Sequence, residues 1–127
     1  MNIDKIASQL KLESLYFSEC SISRTGTIEE EKLDKHLNKS INTLSNGKTV
    51  VELTFNITKP NNDLLVKVVA NGVFSIDNPE SDFSQDILKN NTVAIMFPFI
   101  RSQVSLLTTQ PGMTPVIIPP INTAMFN

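Results

Sequence analysis

The sequence has 127 residues, which is the length of one globular domain and leaves no room for a second. Hydrophobic residues make up 40% and charged residues 19% of the chain, a composition typical of a folded protein rather than a disordered one. Its 11 Lys and Arg against 13 Asp and Glu give a net charge of −2 without a basic cluster, which argues against a nucleic-acid-binding protein.

The cysteine content and the N-terminus indicate the compartment. Cys20 is the only cysteine, so an internal disulfide is impossible, and in an alternating strand it is expected to be a buried hydrophobe rather than a nucleophile. Residues 1 to 5 lack the basic start of a signal peptide, and no uninterrupted apolar run of about 18 residues exists. We therefore expect a cytoplasmic protein that does not insert into membranes.

The first predicted element is a long strand at residues 10 to 23. Its alternation predicts apolar contacts on both faces, with Leu10, Leu12, Tyr16, Cys20 and Ile22 on one side and Leu15 and Phe17 on the other.

A short helix is predicted next. Thr27 and Glu30 have the spacing of a capping box, and Ile28, Leu33 and Leu37 would form one apolar stripe. A weak second strand follows at residues 37 to 44.

Two clearer strands come after this segment. Asn46-Gly47 favours a type I′ hairpin turn, and residues 51 to 57 alternate cleanly between apolar and polar side chains. A turn at residues 60 to 63 then leads into a fourth strand at 64 to 76.

The period of the apolar residues changes after the fourth strand. Ser81 is a candidate N-cap for a short helix that ends near Asn90-Asn91. A second helix is predicted from near Pro98 to Thr109, because proline suits a first turn and apolar residues follow at helical spacing. Residues 110 to 120 contain four prolines and must be extended. The whole plan is four antiparallel strands in a meander followed by helices, an α+β fold.

Charge is distributed unevenly along the chain. Every charged side chain lies at or before Arg101, and residues 102 to 127 carry none. One interpretation is that this segment is core or oligomer interface. The other is an exposed apolar surface for a partner. Both can hold for different parts of the segment.

Residues with catalytic or ligand-binding chemistry are scarce. The single histidine, His36, and the single cysteine cannot form the usual metal clusters, and His36 is expected to be exposed. Gly47-Lys48-Thr49 ends like a phosphate-binding loop, but Asn42 occupies the position of its first glycine. The acidic run at residues 29 to 31 is typical of a solvated helix start. We expect neither an enzyme nor a cofactor.

Several short motifs stand out on this plan. They are Asn71-Gly72-Val73-Phe74-Ser75-Ile76 in the fourth strand, Met96-Phe97-Pro98-Phe99-Ile100-Arg101 at the helix start, and Pro120-Ile121-Asn122 after the loop. They resemble, in order, a strand end, a Leu-Phe-Pro-Tyr-x-Arg helix start and an Ala-Pro-Val-Asn segment of the SecB family of protein-export chaperones. Residues 10 to 22, with Tyr16, are similar to that family's first strand.

The resemblance implies one SecB-like domain over residues 1–127, with strands in about 10–76 and helices and a proline-rich loop in about 81–127. It implies a four-stranded antiparallel sheet with helices packed on one face, assembled as a homotetramer. Family members bind unfolded polypeptides without ATP, in apolar grooves. The residues that this implies for polypeptide binding are Leu15, Phe17, Ile41, Phe74, Met113, Val116, Ile118, Ile121 and Phe126.

Two departures from the family pattern bear on its partners. The family's last helix continues beyond the position of Phe126 into a tail that helps contact the translocation motor SecA. Of the acidic positions that meet SecA's zinc-binding tail, only Glu19 is matched, since Ser23 and Lys67 occupy the other two. The expected function is therefore a SecB-like chaperone for protein export or for a dedicated client such as an antitoxin. The alternative is a non-chaperone oligomeric interaction or scaffold protein that reuses the fold.

Overall fold

The computed structural model describes residues 10–26, 33–60, 63–77 and 81–120. Within them it has four strands and one helix: β1 (Leu10–Arg24), β2 (Asp34–Thr43), β3 (Thr49–Thr58), β4 (Leu64–Ile76) and α1 (Asp82–Thr108). The predicted fold, an antiparallel four-stranded sheet with helical structure on one face, is confirmed. The described residues supply one helix for that face, where the sequence predicted more than one.

The strand order in the sheet is β1-β4-β3-β2. Strands β2, β3 and β4 are joined by hairpins, but β1 pairs with β4, from Leu10 opposite Ile76 to Arg24 opposite Leu64. The predicted simple meander is therefore wrong, and the arrangement is that of a Greek key. The reason is visible in β4, where residues 68 to 72 are all buried, because a strand buried on both faces belongs in the sheet centre.

Two β-bulges decide which face the side chains of β1 occupy. Glu13 and Ser18 are extra residues without a partner in β4, and each inserted residue reverses the alternation. Leu15 and Phe17 consequently join the helix-facing side, opposite Gly72 and Ala70. The predicted division of β1 between two faces is wrong, since its core-contacting side chains all share the helix face: Leu10, Leu12, Leu15, Phe17 and Ile22.

The hairpin between β2 and β3 has a longer loop than a type I′ turn. Leu44 N–H donates to the Lys48 carbonyl at 2.7 Å, and Gly47 N–H donates to the Leu44 carbonyl at 3.0 Å. Three residues therefore lie in the loop, and Gly47 adopts φ of 84°. This is the pattern of a type I turn followed by a glycine bulge.

Strand β2 replaces part of the predicted short helix. It begins at Asp34 and pairs with β3 through Thr43, so Leu33 precedes a strand and Leu37 lies within one. Pairing with β3 outweighs a weak local helical pattern. The predicted capping box of Thr27 and Glu30 lies outside the described residues.

Helix α1 is continuous where two helices were predicted. Ser81 is its N-cap, as predicted, and its hydroxyl accepts from Ser84 N–H at 3.0 Å. Asn91 donates to the Ile87 carbonyl and does not end the helix. Pro98 lies inside it, and both Pro98 and Ala94 are exposed, so water can hydrate the carbonyl that lacks its helical donor.

The core lies between α1 and one face of the sheet. Alternate residues of β3 and β4 point into it, and the ring of Phe55 meets that of Phe97 edge to face, with centroids 5.9 Å apart. The most completely buried large side chains are Phe74, Leu53, Ile57, Leu64, Ile87, Leu88, Met96 and Ile100.

Candidate functional site

The proline-rich loop, residues 109–120, folds back along α1. Val116 N–H donates to the Thr108 hydroxyl at 2.8 Å, and the Ser105 hydroxyl donates to the Val116 carbonyl at 3.4 Å. One turn nearer the middle of the helix, Arg101 Nε donates to the Ile118 carbonyl at 2.9 Å. Side chains of one helix flank thus hold the backbone of an extended segment.

A fourth contact ties the start of this loop to the sheet. Arg24, the last residue of β1, donates from Nη2 to the Pro111 carbonyl. Its other terminal nitrogen, Nη1, is buried without a hydrogen-bond partner. The Arg24 guanidinium therefore holds the loop through one nitrogen. The buried, unpaired N–H groups on its other nitrogen lower the stability of this closed arrangement.

Burial alternates along the loop. Met113, Val116 and Ile118 are buried and belong to the core cluster, whereas Ile117 is 73% exposed. Within residues 102–120, part of the charge-free segment is therefore core and part is exposed apolar surface.

The outward side of α1 carries a second exposed apolar feature. Phe99 is 46% and Leu106 is 70% exposed, and exposed Ser102 lies between them at helical spacing. We call these three residues the α1 stripe. Two exposed apolar side chains on the outer side of a helix are a candidate contact with another protein surface.

A cleft of about 290 Å³ lies between the edge strand β2 and the first half of α1. The described residues that line it are Ile41, Thr43, Gln85, Asp86, Leu88 and Lys89. Beside this cleft, Lys39 Nζ donates to the Lys89 carbonyl at 3.2 Å. Burial, and then the charge of Lys89, lower the pKa of Lys39.

The sheet face opposite α1 is more polar. Lys67 Nζ lies 3.6 Å from the Glu19 carboxylate, and the Ser21 hydroxyl donates to the same carboxylate at 3.1 Å. Nearby, Ser23 and Leu65 help to line an open depression of about 320 Å³. The one predicted SecA-contacting carboxylate is thus already paired with a lysine of the neighbouring strand.

The residues predicted to bind polypeptides fall into separate surroundings. Leu15 and Phe17 are half-buried on β1, and Ile41 is half-buried at the β2 cleft. Phe74 has no exposed surface, so it is a core residue in this structure. Met113, Val116 and Ile118 are also buried, and Ile121 and Phe126 lie outside the described residues.

The strand residues of this set do not line one open groove. Leu15, Gly72, Val51 and Ile41 lie side by side in one row across the four strands. Three strand spacings therefore separate Leu15 from Ile41, a distance of about 14 Å. Met96 of α1 reaches the sheet at Gly72, between them. The helix therefore separates two apolar surfaces.

Sequence reasoning missed the residues that are most exposed or that hold the loop. Ile117 lies in the charge-free segment, but alternation along a proline-rich loop cannot show which side chain points outward. Leu106 lies on α1, outside the helical spacing of apolar residues that predicted the helix. Arg24 carries no sequence signal, because its contact joins residues 87 positions apart.

Within the described part of the chain, no three His, Cys, Asp or Glu side chains come together as a possible metal site. Cys20 is exposed, contrary to the prediction that it is buried, and partial desolvation by the protein raises the pKa of its thiol. No helix among the described residues has the length and apolar character needed to cross a membrane.

Comparisons with known proteins agree with this architecture. A family model described as preprotein translocase subunit SecB matches residues 4–127. The protein-export protein SecB of Acinetobacter baylyi is 30% identical over 124 residues, which are 90% of this chain and 81% of that protein. An uncharacterized protein of Methanocaldococcus jannaschii is 38% identical over 53 residues, and this match spans only 34% of that protein's length.

A solved structure has the same fold. It is a SecB-like chaperone of Mycobacterium tuberculosis in complex with a ChAD peptide from the HigA1 antitoxin, similar to this chain with a TM-score of 0.73 at 11% identity, over 93% of this chain and 95% of that one. The predicted SecB-like chaperone function is confirmed at the level of the family, which is not an enzyme class. The match over nearly the whole sequence shows that the chain belongs to the SecB family.

Proposed function

We propose that this protein is an ATP-independent chaperone that binds unfolded or precursor polypeptides, either for protein export or for a dedicated client such as an antitoxin. The observation that carries the proposal is the exposure of a large apolar side chain in the charge-free segment, Ile117, which is 73% exposed. Apolar area of this kind attracts unfolded chains, since binding removes it from water. A relative named as a protein-export protein, and a neighbour bound to an antitoxin peptide, support both kinds of client.

The surface for clients is proposed to have two parts. The half-buried side chains of Leu15 and Phe17 supply one, on β1, and Ile41 supplies part of the other, at the β2 cleft. Ile117, exposed on the closed loop, is proposed to make the first contact with a client. Phe74 is assigned to the core instead, because a fully buried ring cannot contact a client in this conformation.

The working form is proposed to be a homo-oligomer, most simply a tetramer. The α1 stripe supports this, because two copies can bury Phe99 and Leu106 against each other. The long edge strand β1 supports it as well, since its outer backbone groups can pair with another strand. We further propose that the protein acts in the cytoplasm and catalyses no reaction.

The test is suppression of aggregation. Chemically unfolded proteins of unrelated sequence are diluted into buffer with and without this protein at equal molar amounts, in the absence of nucleotide, and light scattering is recorded. A chaperone keeps scattering low for several clients. An equal amount of an inert globular protein is the control.

The alternative, a scaffold or interaction protein with the same fold, predicts a different result. Such a protein would leave the scattering of every unfolded client unchanged while still forming a stable oligomer. Suppression limited to one protein and its fragments would instead indicate a dedicated client.

A further inference from the structure

The proline-rich loop is bound to its own domain in the manner of an extended peptide. At Val116 both backbone groups are engaged, the N–H by the Thr108 hydroxyl and the carbonyl by the Ser105 hydroxyl. Two residues later, the Ile118 carbonyl accepts from Arg101 Nε. These hydrogen bonds involve only backbone atoms of the loop. They therefore do not depend on which side chains an extended segment carries.

The burial of the side chains in this segment is also that of a bound extended peptide. Val116 is 1% and Ile118 is 5% exposed, while Ile117 between them is 73% exposed. Alternation with a period of two is what an extended backbone imposes. The receiving surface thus accepts apolar side chains at positions i and i+2 and leaves position i+1 outside.

The loop has only a partial set of backbone hydrogen bonds for a segment that fills part of the core. Met113 forms a single β-bridge, the first loop residues bond to the end of α1, and the backbone at residues 111, 116 and 118 bonds to the side chains of Arg24, Arg101, Ser105 and Thr108. Segments with few such bonds open at lower free energy than the whole domain. Arg24 Nη1 also lacks a partner while the loop is closed, and opening would expose it to water.

We propose that residues 114–118 act as an intramolecular substitute for a client. In the free protein they occupy a peptide site on the flank of α1 formed by Arg101, Ser105 and Thr108. An unfolded client displaces them and binds there as an extended, uncharged segment with apolar residues at i and i+2. This inference rests on the proposed chaperone function and names the site and client pattern that it uses.

The decisive measurement needs no substitution. Amide hydrogen exchange of the full chain is compared with and without saturating amounts of a permanently unfolded protein, reduced and alkylated α-lactalbumin. Displacement predicts faster exchange at the Val116 amide, while amides in the middle of α1 stay protected. Unchanged or increased protection of Val116 in the bound state overturns the inference.

Two substitutions should affect client affinity differently. Arg24→Met removes a bond that only the loop uses, so more molecules have the site open and the apparent Kd should fall by about threefold to tenfold. Thr108→Val removes a group that loop and client both use, so it loosens the loop without this gain in affinity. Lys67→Met, on the opposite sheet face, is the control and should leave the Kd unchanged.

The outcomes separate this inference from the proposed function. If the unfolded protein does not bind at all, the chaperone function itself fails. If it binds normally but Val116 stays protected, or if Arg24→Met and Thr108→Val change the Kd in the same direction, the client uses another surface. Circular dichroism of each variant establishes that it is folded before its affinity is interpreted.

Discussion

Gly72 of β4 lies directly under Met96 of α1. A Cβ atom placed on Gly72 would be 2.9 Å from the Met96 sulfur and 3.0 Å from a ring carbon of Phe74. The absence of a side chain at this one position therefore sets how closely the helix approaches the sheet. It also places Met96 between Leu15 and Ile41, two of the half-buried residues proposed to contact clients.

Gly72→Ala should destabilise the domain. The thioether end of Met96 can turn aside, but Phe74 is fully buried and must shift. We expect the free energy of unfolding to fall by about 1 to 2 kcal/mol. Urea denaturation followed by circular dichroism measures it.

A double-mutant cycle with Met96→Ala identifies the cause. If the added methyl group clashes with Met96, its cost should shrink in the Met96→Ala background, because the sulfur is gone. Equal costs in both backgrounds would place the clash elsewhere.

Neighbouring loop positions should respond differently to the same substitution. Val116→Asp places a charge where the side chain is 1% exposed and should cost about 3 kcal/mol or more. Ile117→Asp changes a side chain that is 73% exposed, so stability should change by about 0.5 kcal/mol or less while client binding weakens. Titration with an unfolded client gives the affinity, and full affinity in folded Ile117→Asp would remove Ile117 from the client surface.

The α1 stripe should control assembly. Leu106→Lys introduces a charge into the most exposed part of the stripe, and two copies packed through it would have to bury that charge. The mass measured by light scattering after gel filtration should therefore fall. Lys89→Glu, an exposed position of the same helix outside the stripe, is the control. An unchanged mass for Leu106→Lys would exclude the stripe as an interface.

The ion pair between β1 and the β2–β3 hairpin predicts a pH effect. Lys48 Nζ lies 2.7 Å from Glu13, and its hydrogen bond lowers the pKa of Glu13 below the ordinary 4.5. A lowered folded-state pKa stabilises the fold above the unfolded value, and this contribution is lost as pH falls through the folded value. In Lys48→Met the NMR-titrated pKa of Glu13 should rise. Lys67→Met is the matched control and should not move it.

Local patterns in the sequence predicted most of the strands and both ends of α1. Val51, Leu53, Phe55 and Ile57 alternate because they lie on a regular strand with one face in the core, and Ser81 caps α1 through its own hydroxyl. The pairing of β1 with β4 depends on contacts distant in sequence, which no local pattern contains. The continuity of α1 through Pro98 likewise depends on tertiary packing and on an exposed carbonyl.

The candidate site was less predictable than the fold. The two bulges in β1 move Leu15 and Phe17 onto the helix face, and a bulge of one residue has no reliable signature in the sequence. In the loop, the apolar composition indicated that the side chains are buried against another surface. It did not indicate whether Val116 contacts a client or the core of its own domain. That choice depends on the contacts of Thr108, Ser105 and Arg101.

Binding to the zinc-containing tail of SecA should be weak or absent. In the family this contact is electrostatic, between a basic tail and an acidic sheet face, as the sequence resemblance implies. Here the Glu19 carboxylate already accepts from Ser21 and lies 3.6 Å from Lys67 Nζ, while Ser23 is uncharged. A basic peptide would meet a lysine and a neutralised carboxylate, so little attraction remains, and salt screens it further.

Calorimetry with a SecA tail peptide measures this directly. The unmodified protein should release little heat, whereas Ser23→Glu combined with Lys67→Glu should gain affinity that decreases as salt is added, because the double variant both removes the repelling charge and frees Glu19. Lys11→Glu, on the same strand as Glu19, changes the net charge by the same amount as Lys67→Glu. It tests whether net charge alone explains a gain in affinity for the SecA peptide. Tight binding by the unmodified protein would contradict the argument and favour general protein export over a dedicated client.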